Sequence, residues 1–300
     1  MHILLTGGTG LIGRQLCRYW LAQGHRLTVW SRRPTEVARL CGDSVRAVAS
    51  LDEIGTEPVD GVINLAGAPI ADRPWTRKRK ALLWESRIGL TEQLLAWLER
   101  REQKPSVLIS GSAVGWYGDG GERELNEQAL PVALDFASRL CDAWEETAQR
   151  AEAVGIRVVL VRTGLVLAPD GGFLQRLLLP FKLGLGGPIG SGRQWMPWIH
   201  VQDQIGLIDF LLNRAESQGP YNACAPQPVR NIEFAKTLAG ILHRPSFMPL
   251  PALPLKMLLG EMSLLLLGGQ RAHPLRLQEA GFTFQFTDLN AALVDVLSRH

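Results

Sequence analysis

The architecture of this chain follows from one early segment, Ile3-Leu4-Leu5-Thr6-Gly7-Gly8-Thr9-Gly10-Leu11-Ile12-Gly13. Residues 3–6 are typical of a short buried strand, and helical periodicity runs from Leu11 to Gln23. The intervening glycines allow a tight turn and let the backbone approach a diphosphate at the helix N-terminus, where free amides favour negative charge. This strand–turn–helix order predicts a dinucleotide site held by Gly7, Thr9, Gly10, Leu11, Ile12 and Gly13.

The second predicted strand, Arg26 to Trp30, ends in Ser31-Arg32-Arg33. In a dinucleotide site a carboxylate at this position binds the ribose hydroxyls of NAD, whereas arginines pair with the 2′-phosphate of NADP. No Asp or Glu stands at this strand end, so Ser31, Arg32 and Arg33 predict NADP(H) as the cofactor. The alternative is a solvated basic turn before Pro34.

Strands and helices alternate through the next part of the chain. Strands are predicted at Val45 to Val48, Gly61 to Gly67 and Ser106 to Ser110, with one long helix, or two in sequence, between Trp75 and Glu102. This alternation is typical of a doubly wound α/β fold with a parallel sheet, whose ligands lie at the carboxyl ends of the strands. The fourth strand ends where we expect the backbone to lie against adenine and ribose, at Asn64, Leu65 and Ala66.

Composition excludes several classes of protein. The chain has 300 residues, of which 46% are hydrophobic and 20% charged, and this excludes intrinsic disorder. Its formal net charge of +3 is too small to indicate a nucleic-acid partner, and no basic stripe accompanies it. The cysteines have no CxxC or metal-ligand spacing, so we expect reduced thiols and no metal site: Cys17, Cys41, Cys141 and Cys224.

The sequence has no recognisable signal peptide or membrane span. The most apolar later stretch, Leu253 to Leu267, is interrupted by Lys256 and Glu261 and is shorter than the roughly 20 residues that a span needs. We therefore expect a cytoplasmic protein without a membrane partner. Within this stretch, Leu255 to Leu267 is predicted to form a helix that buries its leucines against the rest of the protein.

Further motifs resemble the extended short-chain dehydrogenase/reductases, the group that includes nucleotide-sugar epimerases and dehydratases. The resemblance rests on the glycine turn and on Ser110-Gly111-Ser112-Ala113-Val114-Gly115-Trp116-Tyr117-Gly118, Arg162-Thr163-Gly164-Leu165-Val166-Leu167 and Trp198-Ile199-His200-Val201-Gln202-Asp203. Residues 180–194 and Leu267-Gly268-Gly269-Gln270-Arg271 are similar to one branch, the "epimerase family" proteins. Members of that branch carry a C-terminal segment of unknown function and are sometimes called cell-division inhibitors.

The resemblance covers essentially the whole chain and implies a Rossmann-type sheet of about seven strands with a small C-terminal substrate lobe. Residues 1–166 are expected to form the NADP-binding domain, completed by parts of 203–223. Residues 167–202 and 224–300 are expected to form the lobe. Dimerisation is common among such relatives, and the sequence is compatible with a monomer or a homodimer.

The resemblance also implies a catalytic Tyr followed four residues later by a Lys, which lowers the pKa of the tyrosine. None of the tyrosines here has a lysine at that spacing: Tyr19, Tyr117 and Tyr221 precede Gln23, Gly121 and Ala225. Aligned by neighbouring motifs, Asp135 stands near the tyrosine position and Arg139 near the lysine position. Arginine is a poor proton relay because its pKa is very high.

Two other residues are candidates for the chemistry. Ser112 matches the family's carbonyl-polarising serine, and Ser110, also an expected cofactor contact, is the alternative if the register shifts. Tyr117 in the following loop is expected to turn its phenol into the cleft, so that Ser112 and Tyr117 polarise a carbonyl during hydride transfer. The alternatives are a serine that caps backbone groups and an aromatic ring that packs.

Four more residues are candidate ligands. Arg87 resembles a position that contacts the cofactor, with a solvated arginine as the alternative. Arg193 and Gln194 follow the glycine-rich residues 184–192 and are candidates to clamp an anionic group of the substrate under a mobile loop. His200 is either a substrate ligand that titrates near neutrality or a structural histidine.

The sequence thus predicts an NADP(H)-binding oxidoreductase or epimerase-like enzyme that acts on an unidentified small molecule with nonstandard acid and base groups. The alternative is a noncatalytic NADP(H)-binding protein, either a redox sensor or a protein-interaction module. An intact cofactor site with a lost catalytic pair is compatible with both.

Overall fold

Thirteen strands occur in residues 1–299, which are the residues that this computed structural model describes. They are β1 (His2–Thr6), β2 (Arg26–Trp30), β3 (Arg46–Val48), β4 (Gly61–Asn64), β5 (Val107–Ala113), β6 (Glu124–Leu125), β7 (Arg157–Thr163), β8 (Leu165–Leu167), β9 (Trp195–Met196), β10 (Trp198–His200), β11 (Gly219–Ala223), β12 (Val229–Arg230) and β13 (Arg271–Ala272). Seven of them form a parallel sheet in the order β11-β7-β5-β4-β1-β2-β3. The chain winds outward from β1 in both directions, so the predicted doubly wound fold is confirmed.

The carboxyl ends of the central strands align at one edge of this sheet. Thr6 of β1 lies opposite Asn64 of β4, and Asn64 lies opposite Ser110 of β5. Two residues further along β5, Ser112 lies opposite Arg162 of β7. Because all these strands are parallel, their polar ends meet on the side where ligands bind in this class of fold.

Helices cover both faces of the sheet. They are α1 (Leu11–Ala22), α2 (Val37–Cys41), α3 (Arg77–Trp84), α4 (Leu90–Arg100), α5 (Phe136–Gln149), α6 (Gly172–Lys182), α7 (Val201–Asn213), α8 (Asn231–Ile241), α9 (Ala252–Leu259), α10 (Leu264–Leu267), α11 (Leu275–Glu279) and α12 (Leu289–Ser298). Helices α1 and α7 pack on one face, and α4 and α5 pack on the other. Coverage of both faces explains why the central strands are hydrophobic throughout rather than alternating.

The connection between β4 and β5 differs from a regular helix at one point. A π-helical turn, Glu85–Gly89, joins α3 to α4, so the helix predicted between Trp75 and Glu102 is continuous but irregular. Single π turns inside α-helices are frequent at functional sites, because the wider turn redirects side chains. This turn carries Arg87.

The C-terminal lobe has its own apolar core. Helices α6, α8 and α12 pack around Trp198 and Phe234, both of which are fully buried. Three short strand pairs hold the lobe together and join it to the rest of the protein: β10 with β8, β12 with β9 and β13 with β6. The lobe therefore combines residues from before and after α7.

The prediction of a single helix from Leu255 to Leu267 that buries its leucines is wrong in two respects. It is divided into α9, a 3-10 turn at Gly260–Ser263, and α10, because Gly260 adopts a positive φ of +55° that ends α9. Leu255 is buried, but other apolar residues of α9 face solvent: Leu253, Met257 and Leu258. Within residues 1–299, no helix combines the length and apolar character needed to cross a membrane.

Candidate functional site

The glycine turn between β1 and α1 is as tight as the sequence predicts. Gly7 has φ +70°, and a Cβ there would lie 2.7 Å from the backbone of Leu65. A Cβ on Gly13 would lie 2.3 Å from the carbonyl oxygen of Gly7. The N-cap of α1 is Gly10, which supplies no side-chain cap, and the first turn contains no acidic residue. The amides of this turn, including Leu11 and those beside it, are therefore suited to bind a diphosphate.

A buried polar network fixes the backbone next to this turn. The Thr6 hydroxyl donates to Asn64 Oδ1 at 2.8 Å and accepts from the Ala66 amide at 3.1 Å. Asn64 Nδ2 donates to the hydroxyls of Thr91, at 2.9 Å, and Ser110, at 3.2 Å. The predicted contact of Asn64 with a cofactor is through its backbone and stays a prediction. The side chains of Asn64 and Ser110 face no cofactor, because both are fully buried and bonded to each other. They hold Ala66 in place instead.

The end of β2 presents cationic side chains to solvent. Arg33 forms a salt bridge with Glu36 at 3.0 Å, and its amide donates to the Ser31 hydroxyl at 3.1 Å. Arg32 is exposed and forms no salt bridge within residues 1–299. Arg32 is thus the cation at this strand end that a 2′-phosphate would meet without a competing carboxylate.

Ser112 is tied to a buried ion pair. Its hydroxyl donates to Glu145 Oε1 at 2.6 Å, and Arg162 donates to both oxygens of the same carboxylate, at 2.8 and 2.7 Å. Burial disfavours the charge of Arg162, but the hydrogen bonds to Glu145 raise its pKa overall. A hydroxyl has one hydrogen, so Ser112 in this geometry accepts from a ligand and does not donate to a carbonyl. The carbonyl-polarising role of Ser112 stays a prediction, and it requires the hydroxyl to turn away from Glu145.

Tyr117 belongs to the same buried network. Its hydroxyl lies 2.9 Å from both acceptors, Asn126 O and Asn222 Oδ1, and accepts from Arg162 Nη1 at 3.2 Å. The residue is fully buried, and burial raises the pKa of its phenol to about 12. The prediction that Tyr117 faces the cleft is therefore wrong: the phenol joins β7 and β11. Trp116 covers the network, with the Arg162 guanidinium 3.5 Å from its ring centroid.

Neither residue aligned with the family's Tyr and Lys lies on the buried face of α5. Asp135 caps this helix by accepting from the Ser138 amide at 2.9 Å, and Arg139 is exposed. The alignment of these two residues with the family's Tyr and Lys is therefore wrong. Ala137 and Cys141, also four residues apart, lie on the buried face of α5, and Cys141 is beside Ser112. Burial raises the pKa of the Cys141 thiol to about 12, so it stays protonated at neutral pH.

Arg87 lies at the exit of β4, close to the inward face of α5. Its guanidinium donates to Ala68 O at 3.1 Å and to Leu83 O at 3.3 Å, and a Cβ on Gly67 would lie 2.9 Å from its Cζ. The ring of Trp144 lies 5.3 Å from the same carbon. Burial lowers the pKa of Arg87, and no carboxylate within residues 1–299 forms a salt bridge with it. This cation is available to an anionic ligand group.

Two of the candidate substrate residues in the lobe, Gln194 and Arg193, have different surroundings. Gln194 donates to Ile189 O at 3.0 Å and Leu266 O at 2.8 Å, so it joins two segments of the lobe. Arg193 is exposed and forms no salt bridge within the described part of the chain.

His200 is structural. It is 1% exposed, accepts from the Gln202 amide at 3.1 Å as the N-cap of α7, and stacks on Phe286 with ring centroids 3.8 Å apart. Burial lowers the pKa of His200 to about 4, although Asp295, 3.1 Å from Nε2, acts in the opposite direction. The prediction of a substrate ligand that titrates near neutrality is wrong, because the imidazole is neutral at pH 7.

Three residues of the site, Thr91, Trp144 and Glu145, could not be identified from the sequence. Thr91 and Trp144 meet within the polar network, where Trp144 Nε1 donates to the Thr91 hydroxyl at 3.1 Å. Glu145 lies on α5 among other charged residues, and nothing in its spacing distinguishes it. A signal did exist for Arg162, since a charged residue inside an otherwise aliphatic strand requires a buried partner.

Fold and glycine turn together define a Rossmann-type NAD(P)-binding protein of the extended short-chain dehydrogenase/reductase class. A profile of the NAD dependent epimerase/dehydratase family matches residues 3–224, and the chain belongs to that family. A profile of a domain of unknown function, DUF1731, matches residues 250–296. The resemblance to "epimerase family" proteins with such a C-terminal segment is confirmed.

Individual relatives support the same assignment. The chain is 39% identical over 300 residues to the epimerase family protein YfhF of Bacillus subtilis, covering 99% of this chain and 98% of that protein. It is 36% identical over 299 residues to the epimerase family protein SA0724 of Staphylococcus aureus, with 98% of each covered. The human epimerase family protein SDR39U1, solved with NADPH, has a TM-score of 0.91 at 34% identity, with 100% of both chains covered. A UDP-glucuronic acid 4-epimerase from Bacillus cereus, at 17% identity and a TM-score of 0.78 with 99% and 98% covered, shares the fold.

Proposed function

We propose that the chain binds NADP(H) and acts as an oxidoreductase or epimerase-like enzyme on a small molecule, without a Tyr-x-x-x-Lys pair. The observation that carries the cofactor assignment is Arg32, exposed and without a salt bridge at the end of β2, beside an intact glycine turn. The NADPH in the human relative's structure supports the same preference. Four free cysteines, all buried, support a reducing, cytoplasmic location.

Residues near the carboxyl ends of β1, β2, β4 and β5 would bind and orient the cofactor and the substrate. Bound NADP(H) would supply hydride transfer. The glycine turn would hold the diphosphate and Arg32 the 2′-phosphate. Arg87 would bind an anionic group, and Ser112 would accept a hydrogen bond from a ligand donor while Glu145 fixes its orientation.

A noncatalytic NADP(H)-binding sensor or protein-interaction module is the second candidate. It is favoured by one observation: the thiol of Cys141 and the phenol of Tyr117 both have pKa values raised to about 12. Neither exchanges a proton readily at neutral pH, and Tyr117 is sealed from the cleft. A monomer and a homodimer are both compatible with this role.

Two measurements test the proposal. Calorimetric titration with NADPH and NADH tests the cofactor, and we expect NADPH to bind about tenfold or more tightly than NADH. Equal affinities would contradict NADP(H) specificity. A screen of carbonyl compounds that follows NADPH absorbance then tests for an enzyme, with Ser112→Ala as the matched variant. Intact NADPH binding without turnover of any compound would favour the sensor.

A further inference from the structure

The C-terminal lobe exposes a set of large apolar side chains on neighbouring segments. They come from the end of α6, the two loops that follow α6 and α8, and α9. Each residue is between 56% and 79% exposed, which is unusual for so many large apolar residues on one lobe. We name this set the lobe face, and its members are Leu183, Leu185, Phe247, Leu253, Met257 and Leu258.

Backbone hydrogen bonds hold the segments of the lobe face side by side. The amide of Leu250 donates to Pro188 O at 2.9 Å, and the amide of Gly190 donates to Leu250 O at 2.8 Å. Residues 184–190 therefore run alongside residues 245–252, and α9 begins directly after them. Leu255 is the one residue of α9 that is buried, and Leu259 packs partly against the protein, whereas Leu253, Met257 and Leu258 face outward.

The segments that form the lobe face carry charge of one sign. Residues 171–192 and 234–260 contain no Asp or Glu. Lys182, Arg244 and Lys256 are exposed there, and none of them forms a salt bridge within residues 1–299. Glu261, the next acidic residue along the chain, is already paired with Lys80. The lobe face is therefore apolar and cationic.

The apolar and cationic character of the lobe face favours some binding partners over others. A second copy of the chain would bring the same cations against the lobe face, with no acidic residue of these segments to neutralise them. A groove that receives an amphipathic helix covers much of its own lining, whereas these side chains are 56% to 79% exposed. Highly exposed apolar side chains flanked by cations are suited to a fluid apolar phase with an anionic boundary.

We propose that the lobe face binds peripherally to the surface of an anionic phospholipid bilayer. Phe247, Met257 and Leu258 would enter the boundary between headgroups and acyl chains, and the cations would lie beside lipid phosphates. The sequence-based expectation of no membrane partner rests on the absence of a spanning segment, which excludes crossing but not surface attachment. This proposal does not depend on the cofactor or on the proposed reaction.

Flotation of the full chain with vesicles tests the proposal. We expect binding to phosphatidylcholine vesicles that contain about a quarter phosphatidylglycerol, weaker binding at high salt, and none to phosphatidylcholine alone. Met257→Glu is expected to lower the affinity about tenfold or more, whereas Val294→Glu, an exposed apolar position on α12, leaves it unchanged.

Charge-reversal variants provide a second, independent test of membrane binding. Lys182→Glu combined with Lys256→Glu is expected to lower the affinity for anionic vesicles about tenfold or more, and Arg39→Glu on α2 to change it little. Urea denaturation serves as the folding control for every variant. Absence of vesicle binding, equal binding to neutral and anionic vesicles, or binding that Met257→Glu does not weaken would each overturn the proposal. A dimer in solution that Met257→Glu dissociates, without vesicle binding, would assign the face to a second copy instead.

Discussion

Ser112 donates its hydroxyl hydrogen to Glu145 at 2.6 Å, and this contact determines what the candidate site can do. Glu145 is held on its other side by two hydrogen bonds from Arg162, which fix its carboxyl group within a buried region. The serine therefore presents lone pairs, not a hydrogen, to a ligand. Ligand groups at this position are expected to be donors such as hydroxyls.

The Glu145–Arg162 pair is expected to be a major determinant of stability. Glu145→Gln keeps the shape but leaves the Arg162 charge buried without a counter-charge, which we expect to cost about 3–5 kcal/mol in the free energy of unfolding. Urea denaturation measures this loss. A double variant, Glu145→Leu with Arg162→Met, removes both charges. We expect its loss in the free energy of unfolding to be smaller than the sum of the losses in the single variants Glu145→Leu and Arg162→Met. A loss below about 1 kcal/mol for Glu145→Gln would show that the pair is not essential.

The Glu145–Arg162 pair also shows which contacts could not be predicted from the sequence. The glycine turn and the parallel sheet could be predicted because local spacing alone determines them. The partner of Arg162 lies 17 residues away on another element, and the burial of Tyr117 depends on Asn222, 105 residues away. Such contacts depend on how β5, β7 and β11 pack together. Within one segment, the helical phase of α5 places Arg139 on its exposed surface and Cys141 on its buried face, and neighbouring motifs do not determine this phase.

The end of β2 provides the sharpest test of cofactor choice. Arg32→Ala is expected to weaken NADPH binding by about tenfold or more, because a charge-assisted bond to the 2′-phosphate is lost, and to leave NADH binding nearly unchanged. Calorimetry with both cofactors measures the difference. Arg33→Ala is the matched control and should have a smaller effect, since Glu36 already pairs with Arg33. An equal loss for both cofactors would contradict a role for Arg32 in phosphate recognition.

The glycine turn tolerates no side chain at its third glycine. In Gly13→Ala the added Cβ would lie 2.3 Å from Gly7 O and 2.7 Å from Gly8 Cα, and these backbone atoms cannot move without opening the turn. We expect a loss of stability of about 1–3 kcal/mol and NADPH binding reduced about tenfold or more.

Gly240→Ala on α8 is the matched control for this change. A Cβ there meets no atom within 4 Å, and alanine favours a helix, so the variant should be more stable by about 0.5–1 kcal/mol with unchanged NADPH affinity. Thermal denaturation and calorimetry measure both quantities. Wild-type NADPH affinity in Gly13→Ala would contradict the diphosphate site.

Acid sensitivity of the lobe is expected to depend on His200. Its folded-state pKa is about 4, below the ordinary 6.5, so between these values the unfolded chain binds a proton that the folded chain does not. The contribution of His200 to the free energy of unfolding is therefore fully present above pH 6.5. It decreases as the pH is lowered towards 4, by at most about 3 kcal/mol. His200→Asn keeps an N-cap acceptor for α7 and removes the titrating group. Urea denaturation at pH 7 and pH 5 should show a smaller acid-induced loss for His200→Asn than for the parent protein, and equal losses would contradict the buried neutral histidine.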